Sequence, residues 1–376
     1  MKIIQSKYEI IEQQFSDDLI RDLYKHIELC GRTCYKSNDK ITTDSYKNFV
    51  NNIIKSKHGS MLEHATVYLW MEYGRNRNES DRIEKYLTNP YTKYRNIYNN
   101  YFITTNYRVM VENGWLDDLE YMCRPTEHHE KRYTVRFTCD IGVSREFNRH
   151  RKDSIAEEST RYCNYSKEKF GKELNIIEPI WFTDNEKEII HNEKEHMSFQ
   201  EMCALISRGT DFPAMEQVDY WLFANLAIEY SYMNLIRLGW KPQQARVVLP
   251  LDTKTELIHT SFASDWINFF KLRALGTTGA PHPSAKELAE PLMNEFIKRN
   301  YIGIRRIVYR KIQNSTSEEN KYEYTNQIYE DGEWKYFNTF IGKFGSTPVI
   351  WYESKDIAEK SAPNYINIDE DFEINE

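Results

Sequence analysis

The sequence lacks most of the short signatures by which an enzyme class is read. Its 376 residues include only 14 glycines, and none sits in a glycine-rich phosphate loop. That excludes a cofactor held mainly by backbone amides of such a loop. Six cysteines occur, at Cys30, Cys34, Cys123, Cys139, Cys163 and Cys203. None forms a CxxC pair or stands at zinc-ligand spacing from a histidine, and the His58–His64 interval fits no common zinc motif, so no metal is expected. Reduced, mostly buried thiols are expected instead. No Gly-x-Ser-x-Gly elbow is present to make a hydrolase nucleophile. The opening MKIIQSKYEI has no apolar signal core, and the best apolar run, Tyr220 to Ile236, is broken by Asn225 and Glu229. A soluble cytoplasmic protein without a membrane partner is therefore expected. A net charge of −7 leaves no broad basic field, so nucleic acid is not an expected partner either.

What the chain does have is material for a core: 40% hydrophobic and 14% aromatic residues. Residues 1–60 read as a strand and two helices. Ser16 is a candidate cap for the first, with Ile20, Leu23, Tyr24 and Ile27 on its apolar face, and Cys30 to Lys36 reads as the connection to the second. Ala65 to Trp70 reads as a strand. Residues 74–131 are polar and read as an insertion with a helix at Trp115 to Met122. Tyr133 to Asp140 alternates as a strand does, and a short helix follows from Gly142. Ala214 to Leu238 is a long helical stripe stopped by Gly239 and Pro242. Arg246 interrupts an apolar run and would be unfavourable to bury unpaired. Ser264 to Leu275 and a segment from Ser284, with Glu287 as capping-box partner, read as helices. Beyond residue 300, alternating segments around Asp331-Gly332 read as a hairpin, which Pro348 to Tyr352 would join, before an acidic, flexible tail. The expected class is α+β, with a mixed or antiparallel sheet flanked by long helices. The expected division is a domain over 1–300, carrying the 74–131 insertion, and a β-rich appendage over 301–376.

The charge is least even between Ser144 and Ser166, SREFNRHRKDSIAEESTRYCNYS. Arg145, Arg149, Arg151 and Arg161 gather there with His150, among Glu146, Glu157 and Glu158. An acidic chain that concentrates guanidinium groups is suited to an anion at that place. Arg149-His150-Arg151 is followed after seven residues by Ser159, then Thr160-Arg161-Tyr162. That spacing resembles the signature of the flavin-dependent thymidylate synthases. Two further patches extend the resemblance, HGSMLEH from His58 and the stretch from Pro242 to Arg273.

The resemblance implies conversion of dUMP to dTMP with FAD, NADPH and methylenetetrahydrofolate, in a homotetramer whose sites lie between subunits. It implies that Glu146, Arg149, Glu157, Glu158, Ser159, Thr160, Arg161, Arg246 and Arg273 meet the nucleotide, with Arg273 activating the uracil. It implies that His58, Ser60, Arg149, His150, Arg151, Glu157 and Asn268 meet the flavin. No cysteine nucleophile is needed, and Cys163 reads as a packed thiol. Glu146 and Phe262 depart from residues frequent in the family, and GTTGAPHP replaces its usual segment after Arg273. The Glu146 and Phe262 departures motivate one alternative, a related pyrimidine-nucleotide flavoenzyme with another substrate or carbon donor; a second, from another class, is a catalytically silent nucleotide- or flavin-binding protein.

Overall fold

The computed structural model describes residues 1–74, 77–194, 197–208, 216–311, 322–330, 333–338, 343–345, 352, 354–367 and 372–373. The chain divides into two compact units, Met1–Ser261 and Phe262–Glu376. The expected boundary near residue 300 thus lies inside the second unit.

The first unit begins with strands β1 (Lys2–Ile4) and β2 (Lys7–Ile11) and helices α1 (Leu19–Cys34) and α2 (Ser45–Lys55). Asp18, not Ser16, caps α1, its carboxylate accepting the backbone N–H of Arg21 at 2.9 Å. The Ser16 hydroxyl instead accepts from the Arg21 guanidinium at 2.9 Å. The helix also runs through Cys30 to Cys34, expected as a connection. Leu23, Ile27, Cys30 and Cys34 form a buried stripe at helical spacing, and burying it carries the helix on through Gly31. Gly31 marks the close approach of α1 to Phe49 of α2, whose ring a Cβ would meet at 2.6 Å.

A 3-10 turn, Gly59–His64, leads into β3 (Thr66–Glu72). The polar stretch that follows carries α3 (Arg77–Leu87), β4 (Lys93–Ile97), β5 (Asn100–Asn106) and α4 (Tyr107–Glu112). Its strands complete an antiparallel sheet in the order β3-β5-β4. Val67, Leu69, Met71 and Ile103 pack with Leu23, Ile27 and Val50 in the main core. The helix expected near Trp115 is a 3-10 segment, Leu116–Tyr121, whose Asp118 is buried and accepts the Tyr86 hydroxyl at 2.7 Å.

Next come β6 (Arg132–Asp140), α5 (Ile141–Phe147), β7 (Ser154–Glu157) and β8 (Asn175–Ile177). Helices α6 (Asp184–Ile189), α7 (Phe199–Arg208), α8 (Gln217–Arg237) and α9 (Pro242–Ala245) precede β9 (Lys254–Phe262). Helix α8 stops where Gly239 takes φ +100, a left-handed end that suits glycine. Among the described residues, β2, β6, β9 and β7 form one four-stranded sheet in that order, and β1 pairs parallel with β8. No helix of the described residues is long and apolar enough to cross a membrane.

The second unit holds α10 (Ala263–Arg273) and α11 (Pro283–Lys298), then β10 (Gly303–Lys311), β11 (Tyr322–Glu330), β12 (Glu333–Asn338), β13 (Lys343–Gly345), α12 (Lys355–Ser361), β14 (Tyr365–Asn367) and β15 (Phe372–Glu373). The rings of Trp266, Phe269, Phe270 and Phe296 pack α10 on α11. The expected Ser284–Glu287 capping box does not form. Pro283 occupies the first turn, the cap falls on His282 without a side-chain bond, and Ser284 is buried. β11 and β12 pair as an antiparallel hairpin. Its Asp331-Gly332 turn lies outside the described residues, as do Pro348 to Trp351 and most of the acidic tail. Tyr352 bridges Tyr324. Helices with predominantly antiparallel sheets make the fold α+β, as expected.

A buried polar seam crosses the first unit. His26 Nε2 lies 3.2 Å from Thr134 Oγ1, which lies 2.8 Å from Thr260 Oγ1, which lies 2.8 Å from His64 Nδ1. Burial, aided by the Arg132 charge, pushes His26 down to about 4; burial with His26 and Arg132 holds His64 well below the usual imidazole range. Because these folded values lie below the unfolded one of about 6.5, stability is whole above that pH and is lost as pH falls toward 4. Urea unfolding at pH 5 should show a stability lower than at pH 7.5 by on the order of 2 kcal/mol from His26 alone. His26→Gln should flatten that dependence; equal slopes for the two proteins would contradict the assignment.

Candidate functional site

The arginine-rich stretch is built from β6 outward. Asp140 ends the strand and caps α5, its carboxylate accepting the Val143 N–H at 2.6 Å. Phe147 and Val143 bury one side of α5, which leaves Arg145 exposed on the other. A tight turn follows, with Arg151 N–H donating to Arg149 O at 3.0 Å and Asp153 N–H to His150 O at 3.1 Å. Arg149 and Arg151 are exposed and have no side-chain ion pair among the described residues. His150 is turned inward, its ring centroid 6.2 Å from that of His259. Asp153 fixes this layer, pairing with His259 Nε2 at 2.8 Å and accepting from Ser261 Oγ at 2.6 Å.

The middle of the motif is a strand that sequence patterning did not indicate. β7 pairs antiparallel with β9, Ser154 opposite Thr260 and Glu157 opposite Leu257. Four residues of mixed polarity give no period to read; the partner strand, about a hundred residues on, supplies the order. Glu157 is then held by three donors: Ser144 Oγ at 2.8 Å, Asn148 Nδ2 at 2.9 Å and Thr255 Oγ1 at 3.1 Å. After Glu158 the chain turns, with Tyr162 and Cys163 N–H groups both donating to Ser159 O at 3.0 Å.

This turn faces a cleft of about 540 Å³. Ser144, Arg145, Glu157, Glu158, Ser159, Thr160 and Arg246 form its polar wall, and Ile141, Val247, Leu249, Pro250 and Leu251 its apolar wall. The volume falls in the range of roughly 300–1,000 Å³ usual for small-molecule sites. Arg246, expected to be unfavourable to bury unpaired, is exposed. The apolar residues beside it, Val247 at 73% exposure and Leu251 at 57%, line the cleft instead of the core. Arg246 Nη1 donates to Thr160 Oγ1 at 3.2 Å, joining segments 86 residues apart. A forked cation beside two hydroxyls, facing an apolar wall, suits a phosphate ester carrying a flat apolar ring.

The expected site residues thus divide. Glu157, Glu158, Ser159, Thr160 and Arg246 share the cleft. Glu146 is half-buried on α5, and the exposed Arg161 lays its guanidinium 5.6 Å from the centroid of the Tyr162 ring. His58 and Ser60 are exposed at the 3-10 turn before β3, where His58 Nδ1 lies 3.3 Å from the Tyr35 hydroxyl. Asn268, exposed, and Arg273, half-buried, belong to α10 of the second unit. Ser144 and Arg145 line the cleft without having been assigned there; their place just before the arginine-histidine-arginine triplet was the available signal. Cys163 is buried, and burial, with Glu158 beside it, pushes its thiol up to about 12, so it is a packed thiol and not a thiolate.

The pattern of the family described as thymidylate synthase complementing protein matches residues 115–299. Two curated flavin-dependent thymidylate synthases, from Tropheryma whipplei strains TW08/27 and Twist, are 27% identical over 158 residues, 42% of this chain. The aligned stretch spans 58% and 57% of those relatives. Among solved structures, the UMP/dUMP methylase PolB from Streptomyces cacaoi bound with 5-Br dUMP aligns over 79% of this chain and 93% of its own, at 15% identity and a TM-score of 0.34. The same methylase bound with 5-Br UMP aligns over 79% and 91%, at 14% identity and a TM-score of 0.33. Residues 115–299, the stretch that this family's pattern matches, include the arginine-rich motif and the cleft.

Proposed function

We propose that this protein is a flavin-dependent thymidylate synthase, which methylates dUMP to dTMP with methylenetetrahydrofolate as carbon donor and FAD and NADPH as redox partners. It would act in the cytoplasm as a homotetramer. One observation carries the nucleotide part: Arg246, Thr160 and Ser159 line one cleft with Arg145, and Arg246 bonds directly to Thr160. Arg161 would add a further guanidinium, and Glu146 a polar contact. Glu157, already oriented by three donors, presents a fixed carboxylate at the cleft wall.

The donor set also fits a flavin. Arg149 and Arg151 are exposed guanidinium groups without a carboxylate partner among the described residues, as a diphosphate requires. They, with His58, Ser60, His150, Glu157 and Asn268, would hold the FAD. When bound, the flavin supplies the redox and carbon-transfer chemistry. The chain's own contribution is binding, orientation and polarisation. Methylation at uracil C5 needs electron density on that carbon, and a cation at the ring carbonyls stabilises the charge that develops. Arg273 takes that role from the resemblance.

An anaerobic assay with dUMP, FAD, NADPH and labelled methylenetetrahydrofolate tests the proposal. Label should appear in dTMP; flavin-loaded protein that binds dUMP yet forms no dTMP would remove the synthase reading. Arg149→Ala should weaken FAD retention about tenfold, the loss of one charge-assisted contact. Flavin absorbance per protomer after dialysis checks it, and unchanged stoichiometry and affinity would contradict the role.

A further inference from the structure

Two lysines and two glutamates meet at the cleft wall, of which Glu158 is part, and the proposed chemistry uses neither lysine. Lys254 Nζ donates to Glu158 Oε2 at 2.9 Å and to Glu256 Oε1 at 2.8 Å. Lys36 Nζ reaches the same two oxygens, at 3.3 and 2.5 Å. Lys254 and Glu158 are buried, with side-chain exposures of 10% and 2%. Burial raises the Glu256 carboxyl, but Lys254 and Lys36 outweigh it and bring the group down to about 2. A buried ionic cluster of this kind is seldom more stabilising than apolar side chains of similar volume, so stability alone does not account for it.

The cluster joins three distant pieces of chain: the end of α1, the end of β7 and the start of β9. Lys36 takes left-handed backbone, φ 48, which a non-glycine residue keeps where its surroundings hold it. Glu158 is fixed twice, by both lysines through its carboxylate and by its N–H, which donates to Glu256 O at 2.8 Å. The next two residues are Ser159 and Thr160, at the cleft wall. The lysines' charges are matched by Glu158 and Glu256, so they are committed to the scaffold and not offered to an anion.

We propose that Lys254 and Lys36 are positioning residues for the nucleotide. By clamping Glu158 they set the Ser159-Thr160 turn against Arg246, and Glu158 serves as their handle instead of touching substrate. This rests on the nucleotide reading of the cleft. It predicts that breaking the clamp changes affinity and not only stability.

The test is calorimetric titration of dUMP into full-length protein at a temperature well below every melting midpoint. The double variant Glu158→Gln/Lys254→Met removes one anion and one cation and leaves Lys36 paired with Glu256, so no buried charge is left unbalanced. Lys36→Met, at a less buried position, is the second probe. Asp118→Asn controls for stability, since it breaks a buried ion pair with Lys85 outside the cleft. The double variant should bind dUMP about tenfold more weakly, Lys36→Met should weaken binding in the same direction, and Asp118→Asn should lower the melting temperature with affinity within about twofold of wild type. Wild-type affinity in both clamp variants, or an equal loss in Asp118→Asn, overturns the positioning role while the nucleotide site stands. A wild-type protein that binds no dUMP overturns both.

Discussion

Arg246→Ala should fold as the parent does and bind dUMP about a hundredfold more weakly, a loss of roughly 2.7 kcal/mol. The stability part follows from exposure. Arg246 begins a short 3-10 turn, Arg246–Val248, lies at the surface and has no carboxylate partner among the described residues. Removing such a side chain shifts stability by about 0.5 kcal/mol or less. The affinity part follows from the cleft. A guanidinium that already bonds Thr160 is held close to two hydroxyls, and a phosphate there would lose a charge-assisted donor that water does not replace in kind. Arg246→Lys should recover part of the loss, because it restores the charge but not the fork. Calorimetry with dUMP, alongside thermal melting, checks both parts. Unchanged affinity in a folded variant would take the phosphate away from this cleft.

Arg273→Ala should lower dTMP formation by about 10² to 10³ while the protein stays folded, the range found when a single transition-state donor is removed. Arg273 is half-buried and the last residue of α10, where a cation favours the helix dipole by about 0.3–1 kcal/mol. The large effect is expected in turnover and not in the melting temperature. Initial rates under anaerobic conditions, with dUMP and methylenetetrahydrofolate at saturation, make the comparison. Near-normal rates from a folded variant would remove the activating role.

What could be read from the sequence was what local pattern or charge density carries. α8 is legible because its apolar stripe, Gly239 and Pro242 agree. β6 is legible because eight residues alternate. The motif is legible because its guanidinium groups crowd into one segment of an acidic chain. What could not be read has a different origin. Asp18 and Ser16 are both good capping residues two positions apart, and only the backbone path chooses between them. Arg246 sits among apolar residues that line a cleft, and a run of apolar residues in sequence does not say whether it faces core or ligand. β7 has too little pattern of its own and is ordered by β9. The Lys36–Glu158–Lys254–Glu256 cluster is invisible in one dimension: each member alone looks like a solvated surface charge, and only folding brings them together.

The most direct measurement is a crystal structure of the protein grown with dUMP. The phosphate should be bonded to Arg246 with Ser159 and Thr160, and the uracil should lie against the wall formed by Val247, Leu249 and Leu251. A nucleotide bound elsewhere, or an empty cleft at saturating dUMP, would contradict that placement.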